Sequence, residues 1–84
     1  MTITMEEAEK IAEEFFHRKK YEDFVVISYT RGYLGWDLTS RGQIIKSGKP
    51  RVDELKVVID STGKVISYDI KPGMEASSGK RKRD

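Results

Sequence analysis

The N-terminal part of the chain carries its apolar residues at the spacing of an amphipathic helix. They recur at steps of three and four residues between Met5 and Phe16, which places them along one stripe of a helix surface. Thr4 and Glu7 fit a capping box, in which each side chain accepts a hydrogen bond from a free backbone N–H of the first turn. Acidic residues crowd the first turns and basic residues 18–20 the last, as the helix dipole favours. The pattern predicts a helix over about residues 5–20.

After this helix the pattern changes to that of β-strands. Apolar, β-branched and aromatic residues either form a run or alternate with polar ones, the period of a strand with one buried face. Four stretches show this pattern: 24–30, 36–40, 54–59 and 65–70. Glycine, proline and Asp-Ser-Thr-Gly separate them. The longest loop is expected over residues 42–50, because this stretch holds Gly42, Gly48 and Pro50.

These elements predict an α+β fold, with one N-terminal helix packed on a four-stranded antiparallel β-meander. A helix with one apolar stripe needs a surface to cover it, and a sheet with one apolar face supplies that surface. The length of 84 residues allows one domain, which we expect over 1–72. Residues 73–84 hold Met74 as their one large apolar residue, so a disordered basic tail is predicted there. Four aromatic residues are expected to dominate the small core: Phe15, Phe16, Phe24 and Trp36.

Composition narrows the function classes. The chain has no cysteine and one histidine, so disulfides, thiol nucleophiles and multi-histidine metal sites are not expected. No apolar run approaches the roughly 18 residues of a membrane span, and the N-terminus has no signal-peptide pattern. A cytoplasmic protein without a membrane partner is therefore predicted. Asparagine is absent and glutamine occurs once, while Lys and Glu are abundant, which is a thermophile-like composition.

Basic residues are concentrated in two parts of the chain. Across residues 31–51 five bases accompany a single acid, Asp37, and four consecutive bases stand near the C-terminus. Such clusters can neutralise nucleic-acid phosphates. Tyr33 lies between two turn glycines and is expected to be exposed, where it could stack on a base, whereas Trp36 is expected in the core. The candidate nucleic-acid-binding residues are Arg41, Lys46, Lys49, Arg51, Lys80, Arg81, Lys82, Arg83 and Tyr33.

No residue pattern is typical of a catalytic site. His17 stands near the predicted helix C-terminus, where the helix dipole favours a charged imidazole. Four carboxylates, Asp53, Glu54, Asp60 and Asp69, are spread over the predicted strands and are expected on a solvated sheet face. No glycine-rich phosphate loop is present. The sequence predicts a protein that is not an enzyme and that needs no metal or cofactor.

The last predicted strand pair carries a further pattern. Residues 57–65 read Val-Val-Ile-Asp-Ser-Thr-Gly-Lys-Val, and they follow an amphipathic helix and a strand that contains Trp36. Over roughly residues 5–70 this arrangement resembles the PepSY domain, in which a hairpin with an Asp and a Thr-Gly closes a helix-plus-sheet unit. The resemblance implies a non-catalytic module that binds or inhibits another protein, and it assigns no functional residue.

Two functions from different classes follow. The first is a small interaction module that binds a protein partner through its sheet or an edge strand, because the edge of a meander can accept another strand. A homodimer through such an edge is one form of it. The alternative is a nucleic-acid-binding protein that uses the basic loop, Tyr33 and the C-terminal tail; in a simpler interpretation the tail only increases solubility.

Overall fold

The computed structural model describes residues 2–73 and contains one helix followed by four strands. The helix α1 spans Met5–His17, and the strands are β1 (Glu22–Arg31), β2 (Gly35–Lys46), β3 (Lys49–Asp60) and β4 (Val65–Lys71). The strands lie in the order β1-β2-β3-β4, and each neighbouring pair is antiparallel. The predicted α+β meander is confirmed. The predicted tail, Gly73 apart, lies outside the described residues.

The helix begins as predicted and ends earlier. Thr4 Oγ1 accepts a hydrogen bond from the N–H of Glu7, and Glu7 Oε1 accepts one from the N–H of Thr4, which completes the capping box. The helix ends at His17 because Lys20 takes the left-handed conformation, with φ of 79°. The N–H of Tyr21 then donates to the carbonyl of Phe16 at 3.0 Å, which is a Schellman ending that turns the chain back along the sheet.

The core lies between α1 and one face of β2 and β3. Phe16 is fully buried, together with Leu38, Leu55, Val57 and Ile59. The rings of Phe15, Tyr21, Phe24 and Tyr68 surround Phe16 with centroids 5.1–6.3 Å away. The expectation of a central aromatic is therefore correct for Phe16. Phe15, Phe24 and Trp36 are only partly buried at the core margin, and the indole N–H of Trp36 donates to the carbonyl of Ile3 at 2.9 Å.

The loop expected over residues 42–50 is wrong. β2 and β3 pair without interruption as far as Lys46 and Lys49, and only Ser47 and Gly48 form the turn. Both turn residues have positive φ, 53° and 77°, as a two-residue type I′ hairpin requires. Pro50 is compatible with this strand because β4 pairs with β3 only from Glu54 onwards, which leaves an unpaired edge where proline is tolerated.

The end of this hairpin extends beyond the rest of the sheet. β1 pairs with β2 no further than Gln43, and β4 pairs with β3 no further than Glu54. Residues 44–51, which we call the hairpin arm, therefore form a two-stranded ribbon with both edges open. Ile44 is buried in the core, so only the two outer residue pairs of the arm project freely, by roughly 7 Å at the usual rise of a strand.

Candidate functional site

Two of the predicted basic residues lie exposed at the tip of the hairpin arm. Lys46 and Lys49 face each other across the two-residue turn. Arg41 lies at the base of the arm, between buried Ser40 and Gly42, so it belongs to the sheet face that α1 does not cover. Arg41 pairs in register with Glu54, five residues along β2 from Lys46, so the structure brings Lys46 and Lys49 together and leaves Arg41 apart from them.

Arg51 lies on the same arm but is engaged by a buried carboxylate. Its guanidinium donates from Nε to Asp53 Oδ1 at 2.7 Å and from an Nη to Asp53 Oδ2 at 3.0 Å. The hydroxyl of Tyr21 donates to Asp53 Oδ2, and the N–H of Gly73 donates to Asp53 Oδ1 at 2.9 Å. These four residues form what we call the Asp53 cluster. Arg51, predicted as a phosphate contact, therefore already has a carboxylate partner within the chain.

The expectation that Asp53 lies on a solvated face is wrong, because the residue is fully buried. β3 pairs Asp53 with Gly42 of β2, and both face the helix side of the sheet. A side chain at Gly42 would lie 3.2 Å from the Tyr21 ring, so the glycine leaves the space in which Tyr21 reaches Asp53. Of the other three carboxylates, Glu54 and Asp69 lie on the uncovered face as expected. Asp60 is the last residue of β3, and its side chain accepts hydrogen bonds from the backbone of the β3–β4 turn.

The Asp53 cluster holds its groups in fixed protonation states. Burial alone would raise the pKa of Asp53, but the hydrogen bonds from Arg51, Tyr21 and Gly73 outweigh it and hold the pKa below its usual range. Burial and the neighbouring carboxylate raise the pKa of Tyr21 to about 12. Neither group is therefore suited to exchange a proton near neutral pH. The arrangement instead ties Gly73, in the segment that follows β4, to the base of the hairpin arm.

Of the remaining predicted nucleic-acid contacts, Tyr33 lies far from the hairpin arm and the C-terminal bases are not among the described residues. Tyr33 is fully exposed, as predicted, but it lies in the β1–β2 turn, at the opposite end of β2 from Lys46. The 12 residues of β2 separate them by roughly 35 Å at the rise of a strand, so the sheet does not bring Tyr33 to the basic arm. Residues 80–83 lie outside the described part, which the chain leaves at Gly73, beside the base of the arm.

The second candidate surface is the edge strand β1. From Phe24 to Thr30 it contains no charged residue and no proline, and Val25, Ile27 and Tyr29 are about half exposed. β1 contains register shifts before Val25 and between Val26 and Ser28. From Ser28 to Arg31 its register with β2 is regular, so this half of β1 presents an unbroken outer edge. Edge strands are normally protected against pairing with other chains by charges, proline or β-bulges, so the register shifts protect the first half of β1 and the regular second half is the open part.

An acidic groove runs beside this edge. It has a volume of about 570 Å³ and lies between one flank of α1 and Phe24 of β1. The helix contributes four carboxylates and one cation to its wall: Glu6, Glu7, Glu9, Glu13 and Lys10. A strand added to β1 would place alternate side chains under this flank of the helix. Sequence reasoning missed the groove because the acids also fit the role of dipole partners in the first turns.

The opposite edge strand, β4, is protected against strand addition. Within its seven residues it carries Asp69 and Lys71, which are charges that discourage edge pairing. Its Tyr68 ring, about half exposed, is contacted by the ammonium group of Lys19, 4.7 Å from the ring centroid, and by the ring of Phe15. The two edges of the sheet therefore differ, and β1 is the accessible one.

The described residues show no arrangement for metal chemistry or membrane crossing. Between residues 2 and 73, no three acidic or histidine side chains cluster in a way that could hold a metal ion. The helix α1 is too short and too polar to cross a membrane, and no other helix occurs in that range. His17 lies exposed at the last turn of α1.

Comparison with known proteins identifies no similar protein. No family model, no curated protein and no solved structure matches the chain.

Proposed function

We propose that the protein is an interaction module that pairs an extended segment of a partner protein with edge strand β1. The observation that carries the proposal is an exposed edge strand that carries no charge from Phe24 to Thr30 and lies beside an acidic groove. Strand addition supplies main-chain hydrogen bonds, and the alternate side chains of the added strand decide which sequence is bound.

The two faces of β1 define the chemistry of the partner. Side chains on the helix side of the added strand would meet the carboxylates of Glu6, Glu9 and Glu13. Those on the other side would lie next to Ser28 and Thr30, which pair with Thr39 and Asp37 on the face that α1 does not cover. The preferred segment therefore alternates Lys or Arg with β-branched residues such as Val or Thr, which suit cross-strand contacts of this kind. Charge complementarity of this kind raises specificity and association rate more than affinity.

A second copy of this chain fits the edge less well. Antiparallel pairing of two β1 strands around a two-fold axis would form one continuous sheet with both helices on the same face. Each acidic groove lies on the β1 side of its helix, so the two grooves would then face each other. The carboxylates of the two grooves would repel each other and oppose such a dimer. A basic partner segment would instead be attracted by the carboxylates of the groove.

A peptide-binding experiment with a backbone control tests the proposal. The probe is a fluorescent peptide of alternating Lys and Val, compared with the same peptide N-methylated at alternate residues so that one edge cannot donate ladder hydrogen bonds. We expect the unmodified peptide to bind and the N-methylated one to bind at least about tenfold more weakly, since several main-chain hydrogen bonds are lost. Equal binding of both peptides, or no binding of either, would contradict pairing at an edge.

Variants of the helix flank locate the binding surface. We expect Glu9→Gln/Glu13→Gln to weaken the Lys-Val peptide by roughly three- to tenfold at low salt, because exposed charge pairs contribute about 0.2–1 kcal/mol each. The matched control is Glu14→Gln/Asp69→Asn, which removes two acids outside the groove and should leave the affinity within about twofold. If both double variants weaken binding equally, general charge attraction explains it and the groove does not.

A further inference from the structure

The hairpin arm lies at the end of the sheet opposite the β1–β2 turn. It is basic, whereas the groove beside β1 is acidic. We infer that the hairpin arm is a binding element for duplex DNA, which enters the major groove with its two lysines toward the phosphates. This inference is independent of strand addition at β1, since it rests on different residues.

The first argument is shape. The major groove of B-DNA is about 12 Å wide and 8.5 Å deep and admits a two-stranded β-ribbon. Residues 44–51 are such a ribbon. Neither β1 nor β4 pairs alongside the arm, so both of its edges are open. The free projection of roughly 7 Å is close to the depth of the groove.

The second argument is charge placement. From Leu38 to Val52 the sequence contains no acid. Lys46 and Lys49 lie directly opposite each other across the turn, and like charges in this position destabilise a strand pair. Lysines on an open edge also discourage pairing with other chains, and a polyanion between or beside these two lysines would offset their mutual repulsion. Among residues 2–73, neither lysine forms an ion pair, and the bridge between Arg51 and Asp53 is the one found.

The third argument concerns the apolar residues of the arm. Ile45 and Pro50 form the pair next to the two lysines. Both are exposed, with Ile45 at 60 %. Apolar side chains on a ribbon in the major groove can contact thymine methyl groups. The arm thus combines phosphate contacts with a small apolar surface, as elements that enter a groove do.

Fluorescence anisotropy of a labelled duplex of about 20 base pairs, with the full chain at about 50 and 200 mM salt, tests the inference. We expect a micromolar-range affinity at low salt that falls steeply with salt, because phosphate contacts release counterions. Lys46→Gln/Lys49→Gln should weaken binding by about tenfold at low salt and reduce the salt slope by about two. Lys56→Gln/Lys64→Gln, exposed lysines away from the arm, is the matched control and should change the affinity by no more than about twofold.

Two further experiments distinguish entry into the DNA major groove from simple charge attraction. Neutralising the tail with Lys80→Gln/Arg81→Gln/Lys82→Gln/Arg83→Gln should lower the affinity but preserve the effect of the arm variant. A duplex RNA of the same sequence should bind more weakly than DNA, because the A-form major groove is too narrow for a ribbon. The inference is overturned if the full chain does not bind DNA, if the arm variant binds like the control, or if the RNA duplex binds as tightly as DNA.

Discussion

Replacing Asp53 by alanine is expected to lower the free energy of unfolding by about 3 kcal/mol, in the lower part of the range for breaking a buried ion pair. The substitution leaves three donors without their acceptor: the Arg51 guanidinium, the Tyr21 hydroxyl and the N–H of Gly73. Arg51 keeps partial contact with water, which moderates the loss. Chemical denaturation at neutral pH measures the effect. The matched control is Asp69→Ala on the exposed face, for which a change within about 0.5 kcal/mol is expected.

The same cluster predicts a pH dependence of stability. The folded pKa of Asp53 lies below its unfolded value, so the stabilisation is complete above the unfolded pKa, near 4, and is lost as pH falls through the lowered folded pKa. The Asp53→Asn variant should lose less stability on acidification than the wild type. Part of the acid dependence will remain, because hydrogen bonds from Thr62 and Lys64 also lower the pKa of Asp60. An identical acid profile for Asp53→Asn and wild type would contradict this account of the cluster.

Replacing Phe16 by alanine is expected to cost about 3–5 kcal/mol, which is the range for truncating a buried phenylalanine. Phe16 is fully buried and has four aromatic neighbours. A domain of this size has a free energy of unfolding of about 4–10 kcal/mol, so the alanine variant will be close to unfolding. Phe16→Leu, which keeps more of the volume, should remain folded with an intermediate loss and so gives a measurable value if the alanine variant unfolds.

The control for Phe16 is another aromatic residue in a different environment. Tyr33 is fully exposed in the β1–β2 turn, so Tyr33→Ala should change the free energy of unfolding by less than about 0.5 kcal/mol. Thermal or urea denaturation of the three variants gives the comparison. A loss for Phe16→Leu no larger than that for Tyr33→Ala would show that the helix does not pack on the sheet as described.

Local patterns in the sequence are sufficient to predict the elements of this fold. The capping box at Thr4, the apolar stripe up to Phe16 and the alternation in each strand depend only on neighbouring residues, so they predict the helix and the meander correctly. Strand lengths could not be predicted in the same way. Pro50 normally argues against a strand, and its compatibility with β3 depends on where β4 stops. The Ser47-Gly48 dipeptide, which is typical of a turn, was the available signal for the hairpin.

The functional surfaces depend on contacts between distant parts of the chain. Asp53 looks like one of several strand carboxylates in the sequence, and its burial follows from Gly42 opposite it and Tyr21 above. The same contacts bind Arg51 to Asp53. In the sequence alone, Arg51 cannot be distinguished from the exposed cations Lys46 and Lys49. The acidic groove likewise needs the helix flank and β1 side by side. Such pairings are set by register and packing, which one sequence does not display.

The two proposed surfaces lie apart, and each can be tested without the other. The acidic groove and β1 select a basic extended segment, while the hairpin arm selects a polyanion. A protein with both could hold a partner at one surface and a duplex at the other. Loss of one activity by variants of the other surface would indicate that the fold, and not the site, had been altered.

Amide hydrogen exchange, followed by NMR with and without the alternating Lys-Val peptide, tests the central claim most directly. In the free protein the outward-pointing amides of Ser28–Arg31 should exchange rapidly, because they lie on an open edge. At saturating peptide they should slow by at least about tenfold, while the amides of β4 stay unchanged. Protection on β4 or on the hairpin arm instead, with none on β1, would contradict strand addition at this edge.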